Sequence, residues 1–254
     1  MIVGVYLSGT GNTKHCMELF CRSLDANAKL IPIEDPQAAD AIKAAHKIVL
    51  GYPVQFSNAP FMVQDFISRH AEIWRGKHVI CLATMGLFSG DGAGCAARLL
   101  KKHGAVIRGG LHLVMPDSVS DSKLLKKTVE QNREIIAAAD RKTAAAVEGI
   151  RNGKYPKDGI SVFAHIAGLF GQRLWFYRKT QGYSDAWKVS SACIGCGLCT
   201  RICPMGNLQM QQGKPVSAGK CTMCYRCISR CPKQAITLLG DRVQEQCRFD
   251  KYSK

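Results

Sequence analysis

The sequence predicts two unequal domains: an α/β domain with a doubly wound five-stranded parallel sheet, followed by a small α+β domain organised by cysteines. Three observations predict this. Apolar runs alternate with amphipathic segments over the first 150 residues, a loop rich in glycine and hydroxyls directly follows the first run, and one cysteine motif occurs twice near the C-terminus. The 254 residues exceed the usual size of one domain and suffice for two.

Strands are expected at 2–7, 29–33, 47–51, 78–84 and about 106–114. The runs KIVLGY and HVICLAT are apolar on consecutive residues, the pattern of strands covered on both faces. Helical periodicity falls near 12–24, 60–70, 91–103 and 121–150. A short helix is expected between the second and third strands, with Asp35 as N-cap and Pro36 as its first residue. Strands joined by helical crossovers make a parallel sheet with helices on both faces.

From residue 151 the composition changes to the linker RNGKYPKDG, after which Phe163, Ile166, Ala167, Phe170, Leu174 and Tyr177 recur at helical spacing. That helix either packs on one domain as a connector or lies on a partner or membrane surface, for which Arg173, Trp175, Arg178 and Lys179 are suited. The chain thus divides into 1–150, a linker and helix over 151–188, a cysteine domain over 189–240 and a polar tail over 241–254. No apolar run is long enough to predict a membrane span, and MIVGVYLSG reads as a buried strand rather than a signal peptide, so the expected compartment is the cytoplasm. The formal charge of +16 comes from scattered lysines and arginines without a basic-aromatic module. An acidic redox protein is therefore the expected partner, and nucleic acid is not.

Eight of the thirteen cysteines lie between 193 and 231. Cys193, Cys196, Cys199, Cys203 and Pro204 are matched 28 residues later by Cys221, Cys224, Cys227, Cys231 and Pro232, so each copy reads C-x2-C-x2-C-x3-C-P. Three thiolates at this tight spacing wrap one cluster, and the fourth reaches the other. The expected sets are Cys193, Cys196, Cys199 and Cys231 for one [4Fe-4S] cluster, and Cys221, Cys224, Cys227 and Cys203 for the second. Paired zinc sites are the competing reading; they favour two C-x2-C pairs across a longer loop, often with His, and this segment has no His. The array resembles the bacterial two-cluster ferredoxins over about 50 residues. Of the other cysteines, Cys16, Cys21, Cys81 and Cys95 are expected as small apolar residues, with Cys16 placed where a helix start would favour a thiolate.

The loop SGTGNT offers the hydroxyls of Ser8, Thr10 and Thr13, and Gly9 and Gly11 let backbone N–H groups turn inward at a helix start. It suits a terminal phosphate monoester, although an ordinary strand–helix turn has the same composition. The G-x-G-x-x-G spacing for a pyrophosphate is absent. Residues 1–150 resemble flavodoxins, with SGTGNT similar to their FMN phosphate loop. The resemblance implies that Ser8, Thr10, Gly11, Asn12 and Thr13 hold the phosphate and that the loops after the third and fourth strands hold the flavin ring. In the first of these loops Pro53, Val54, Gln55, Phe56 and Asn58 are the candidates, with Gln55 where many flavodoxins carry a tyrosine. In the second they are Thr84, Gly86, Phe88, Ser89 and Asp91. Phe56 and Phe88 are equally readable as core, and Asp91 as an N-cap.

Together the two parts resemble flavodoxin–ferredoxin fusion proteins of anaerobic bacteria. The resemblance implies electron transfer between a low-potential donor, two [4Fe-4S] clusters and FMN. An FMN-dependent reductase of a small molecule and a cluster-based redox sensor are the alternatives. The missing dinucleotide fingerprint argues against a self-contained NAD(P)H enzyme.

Overall fold

A computed structural model of the chain describes residues 1–168, 170, 182 and 186–253. Five strands, β1 (Ile2–Tyr6), β2 (Lys29–Pro32), β3 (Lys47–Pro53), β4 (His78–Met85) and β5 (Val106–Val114), form one sheet in the order β2-β1-β3-β4-β5. Every pairing is parallel. This is the flavodoxin-like doubly wound order, and it places the switch point of the sheet between β1 and β3.

The sheet is buried on both faces, as its unbroken apolar runs require. On one face Ile42 of α2 (Ala38–Lys43), Val63 and Ile67 of α3 (Phe61–Arg69), and Leu100 of α4 (Gly92–Lys102) pack with Trp74 against Val5, Leu50 and Cys81. On the other, Met17 and Phe20 of α1 (Asn12–Leu24) and Ile136 and Val147 of α5 (Val129–Arg151) cover Val49, Leu82 and Leu111.

Two helix starts differ from the sequence expectation. Asp35 does not cap α2; its carboxylate accepts the Gln37 N–H in a local turn, and the helix begins at Ala38. Residues 121–128 are not helical, because side chains there compete for the backbone: Asp121 binds the other domain, and Thr128 forms a capping box with Gln131 that starts α5 at Val129.

The cysteine domain is small. β6 (Lys188–Val189) pairs antiparallel with β9 (Ile236–Thr237), and β7 (Leu208–Gln211) with β8 (Lys214–Ser217). Each cysteine repeat carries one short helix, α7 (Leu198–Ile202) and α8 (Arg226–Arg230). The expected polar tail is instead a structured return. Gln244 and Glu245 donate to the Ser120 carbonyl, Phe249 donates to the Thr10 carbonyl, and α9 (Phe249–Tyr252) buries Tyr252 against the first domain. Of the predicted helix over 163–177, α6 (Val162–Gly168) is described, while Leu174 and Tyr177 lie outside the described residues. Among the described residues no helix is long and apolar enough to cross a membrane.

Candidate functional site

The eight repeat cysteines enclose two cavities. One is walled by Cys193, Cys196, Cys199 and Cys231, the other by Cys203, Cys221, Cys224 and Cys227. Each thus draws three thiols from one repeat and the fourth from the other. Among the described residues, no three His, Cys, Asp or Glu side chains converge on a point that would hold a single ion. A zinc centre needs them within about 2.3 Å of one metal, whereas thiols spread around a cavity suit a cluster.

The two repeats share a backbone as well as a spacing. Gly195 and Gly197 are left-handed (φ 68° and 67°), and so are Met223 and Tyr225 (φ 53° and 61°), which stand 28 residues further on. Backbone N–H groups donate to sulfur at equivalent places, Asn207 to Cys203 (3.4 Å) and Ala235 to Cys231 (3.3 Å). Such bonds stabilise thiolate charge and tune cluster potential. Burial pushes the Cys224 thiol up to about 12 and that of Cys227 upward too. Thiols raised in this way lose their protons on ligating a metal, so loading releases protons.

The second cysteine loop lies directly on the sheet end of the first domain. A Cβ on Gly9 would sit 1.7 Å from the Cys224 carbonyl oxygen, so only glycine admits this approach. Arg226 donates to the Ser8 carbonyl (2.9 Å) and pairs with Glu34 (2.6 Å). Gln55 donates its amide to the Thr222 and Met223 carbonyls (2.7 and 3.2 Å). The Tyr225 hydroxyl donates to Asp121, whose other carboxylate oxygen accepts the N–H groups of Leu238, Leu239 and Gly240.

Between the domains lies a cavity of about 190 Å³. From the first loop Thr10, Asn12 and Thr13 reach it, with Gly9; from the second Pro53, Val54, Gln55 and Phe56; from the third Thr84 and Gly86. The cysteine domain closes it with Met223, Cys224 and Tyr225. Six of the expected residues do not line it. Ser8 and Gly11 face their own neighbours: the Ser8 hydroxyl accepts the Lys14 N–H, and Gly11 packs under Phe249. Asn58 closes a tight turn with Gln55 across left-handed Phe56 and Ser57, and its side chain accepts the Ala59 N–H. Phe88 projects into solvent, 64% exposed. Ser89 accepts the Gly92 N–H at the start of α4, and buried Asp91 pairs with Arg98 and His165.

The cavity also has walls the sequence reading omitted, Met115–Val119 after β5 and Leu125. The rule that ligands bind beyond the carboxyl ends of strands points to the first of these. α1 starts on left-handed Gly11, which supplies no side-chain cap; Ser8 takes the Lys14 N–H, and the Asn12 and Thr13 N–H groups are left for an outside acceptor. The Thr13 hydroxyl is paired with Thr84 (2.8 Å) and that of Thr10 with Ser118 (3.3 Å). These hydroxyls can rotate toward a guest, so the residues present fit an anionic group. Cys16, by contrast, is no reactive thiolate: it is buried and its thiol is pushed up to about 12.

Comparison with known proteins agrees on the cysteine domain. Residues 192–235 match the 4Fe-4S dicluster domain family, a span that holds all eight repeat cysteines. Over 64 residues the chain is 38% identical to one component of the Na(+)-translocating ferredoxin:NAD(+) oxidoreductase complex of Acetobacterium woodii, covering 23% of this chain and 19% of that protein. The chain thus spans about a fifth of that relative's length. Among solved structures, the two-electron reduced flavodoxin of Megasphaera elsdenii is similar at TM-score 0.42 and 24% identity, over 56% of this chain and 99% of that one. An archaeal flavodoxin is similar at TM-score 0.42 and 16% identity, over 59% and 98%. These scores are low, and the fold assignment rests on the strand order itself.

Strand order and cysteine array define the architecture: a flavodoxin-like sheet joined to a 4Fe-4S dicluster domain. Its dicluster domain, residues 192–235, has the eight cysteines that two 4Fe-4S clusters require.

Two outcomes test the geometry. Cys231→Ala is expected to damage the cluster of Cys193, Cys196 and Cys199 and to spare the one beside it in sequence; site-resolved paramagnetic spectra showing the opposite loss refute the cross-ligation. Arg226→Met leaves the partly buried Glu34 without its partner, a cost of about 1–3 kcal/mol. Faster hydrogen exchange is expected in both 5–13 and 222–226, with most protection restored by adding Glu34→Gln. If the double variant exchanges as fast as the single one, the ion pair is not what docks the domains.

Proposed function

We propose that the protein transfers electrons between an external low-potential donor, its two clusters and an FMN held in the interdomain cavity. One observation carries this reading: Cys224 walls both the second cluster cavity and the interdomain cavity. The first cluster site is the outward one, with Cys196 exposed and Ile194 60% exposed beside it. Bound in these places, the clusters pass single electrons and FMN accepts them singly or in pairs.

The chain's own residues divide the work. The Asn12 and Thr13 N–H groups, with the Thr10 and Thr13 hydroxyls, would hold the phosphate. Pro53–Phe56 and Thr84–Gly86 flank the ring. Gln55, placed where a stacking tyrosine is common, instead holds the cluster loop down through its amide. Met223 and Tyr225 accept left-handed backbone conformations that cost non-glycine residues about 1–2 kcal/mol because their side chains are needed at this wall. The basic surface steers an acidic redox partner to the outward cluster.

The ligand is tested first. Thr10→Val with Thr13→Val removes hydroxyl contacts to a charged group worth about 1.5–3 kcal/mol each, so FMN affinity should fall at least about tenfold per hydroxyl. Tighter binding of FAD than FMN, or unchanged FMN affinity in the double variant, overturns the assignment. The route is tested by stopped-flow reduction with a reduced acidic ferredoxin. Deleting residues 187–254 would remove a wall of the cavity as well as the clusters, so Cys227→Ala is the cleaner variant: Cys227 walls the second cluster cavity and not the interdomain one. Flavin reduction should become severely slower in it, while the donor encounter in the native chain slows as salt rises. Equal flavin reduction rates in variant and native protein would favour a flavin enzyme that takes electrons directly.

A further inference from the structure

Large apolar side chains gather in solvent on one side of the first domain. Leu87 and Phe88, on the loop after β4, are 69% and 64% exposed. Phe163, Ile166 and Phe170 are 85%, 48% and 64% exposed. The spacing of Phe163 and Ile166 puts them on one face of α6, and Phe170 follows two residues past its end. The opposite face holds the helix to the body. His165 Nδ1 lies 2.9 Å from the buried Asp91 carboxylate, and a Cβ on Gly90 would meet the Gly168 Cα at 2.5 Å. α6 is therefore attached by a polar pair and a glycine contact, with its apolar stripe outward, the reverse of a helix that covers a core.

The surface continues on the other side of the β4 loop. A Cβ on Gly86 would meet Leu125 at 3.1 Å, and the neighbouring Leu124 is 85% exposed between exposed Lys123 and Lys127. Contiguous exposed apolar surface of this kind marks an interaction site.

We propose that this face docks the protein on an anionic lipid bilayer. Two properties select lipid over a protein partner. The apolar side chains protrude; a protein interface needs a partner shaped to them, whereas the acyl region of a bilayer accepts protrusions of any outline. The rim is basic: exposed Lys123 and Lys127 stand beside Leu124, and the chain has 35 basic against 19 acidic side chains. Aromatic and leucine side chains ringed by lysine are the composition of an interfacial anchor. Docked in this way, the protein keeps the Gly86–Leu125 wall of the interdomain cavity beside the membrane and the β2 edge of the sheet away from it.

The test is co-sedimentation of the full chain with vesicles of equal parts phosphatidylcholine and phosphatidylglycerol. Binding is expected at low salt, with much less to phosphatidylcholine alone. Replacing the exposed side chains by Leu87→Ser, Phe88→Ser, Phe163→Ser and Ile166→Ser should weaken it by about tenfold or more. Phe163→Ser alone and Lys123→Glu with Lys127→Glu should each weaken it less. The cluster absorption of each variant reports that the fold is kept, and Phe163→Ser decides the matter should the fourfold variant lose its clusters. Absence of binding to the mixed vesicles overturns the proposal. So does binding that ignores the serine replacements, which would be adsorption by net charge alone. Light scattering that shows the native chain self-associating through this face, with the serine variant monomeric, would assign the face to a second copy instead.

Discussion

The architecture depends on one close approach: the Cys224 carbonyl lies over Gly9, where any side chain would collide with it. That contact presses a cysteine loop onto the carboxyl end of a parallel sheet, the place where doubly wound folds bind ligands. Everything nearby serves to hold it. Arg226 reaches back to the Ser8 carbonyl and Glu34, Gln55 grips the loop carbonyls, and Asp121 collects Tyr225 and three backbone N–H groups of the 238–240 turn. Buried charges carry a desolvation cost that is offset only by full hydrogen bonding. Asp121, 4% exposed, has that bonding from the other domain. The two domains therefore interlock rather than swing on a tether.

The cysteine repeat is symmetric in spacing and backbone but not in what it faces. Its first copy uses glycine at the two left-handed positions and turns outward, with Ile194 and Cys196 exposed. Its second copy keeps the same turns with Met223 and Tyr225 and turns inward, onto the cavity. Strain that an equivalent glycine would relieve is retained where the side chains close a wall. One loop geometry thus serves an outer and an inner cluster, and the difference lies in two side chains.

Much of this was legible in the sequence, for identifiable reasons. All five strands were, because a doubly covered strand writes itself as consecutive apolar residues. The gathering of the eight repeat cysteines around two cavities was, because the motif's spacing dictates which thiols can meet. Of the SGTGNT loop, Thr10, Asn12 and Thr13 line the cavity, whereas Ser8 and Gly11 turn to their own neighbours. After β4, Gly86 lines the cavity while Phe88, Ser89 and Asp91 turn elsewhere, since nothing local distinguishes a ring contact from Ser89 at the start of α4 or from Asp91 paired with Arg98 and His165. What the sequence hid most fully was long-range. Gln55, Asp121, Arg226 and the return of 241–253 owe their places to partners tens to hundreds of residues away, and no periodicity records such a partner.

The interlock has a thermodynamic consequence. Met223, Cys224 and Tyr225 wall the interdomain cavity, and Cys224 and Tyr225 also frame the inner iron–sulfur site. A group bound in that cavity stabilises the docked loop, and a metal centre that orders the loop stabilises the cavity; the two free energies are reciprocal. The Cys221 thiol sharpens this: burial raises it, and the charge it gains on ligation is met by the Met223 N–H at 3.3 Å. The C-terminal return adds a third participant: Phe249 stacks on His15 at 4.2 Å and takes the Thr10 carbonyl as acceptor, bracing the loop between β1 and α1 at Gly11 as Cys224 braces it at Gly9. Both glycines are thus clamped by segments more than 200 residues downstream. The loop between β1 and α1 is thus held from two sides, by the cysteine domain and by the C-terminal return.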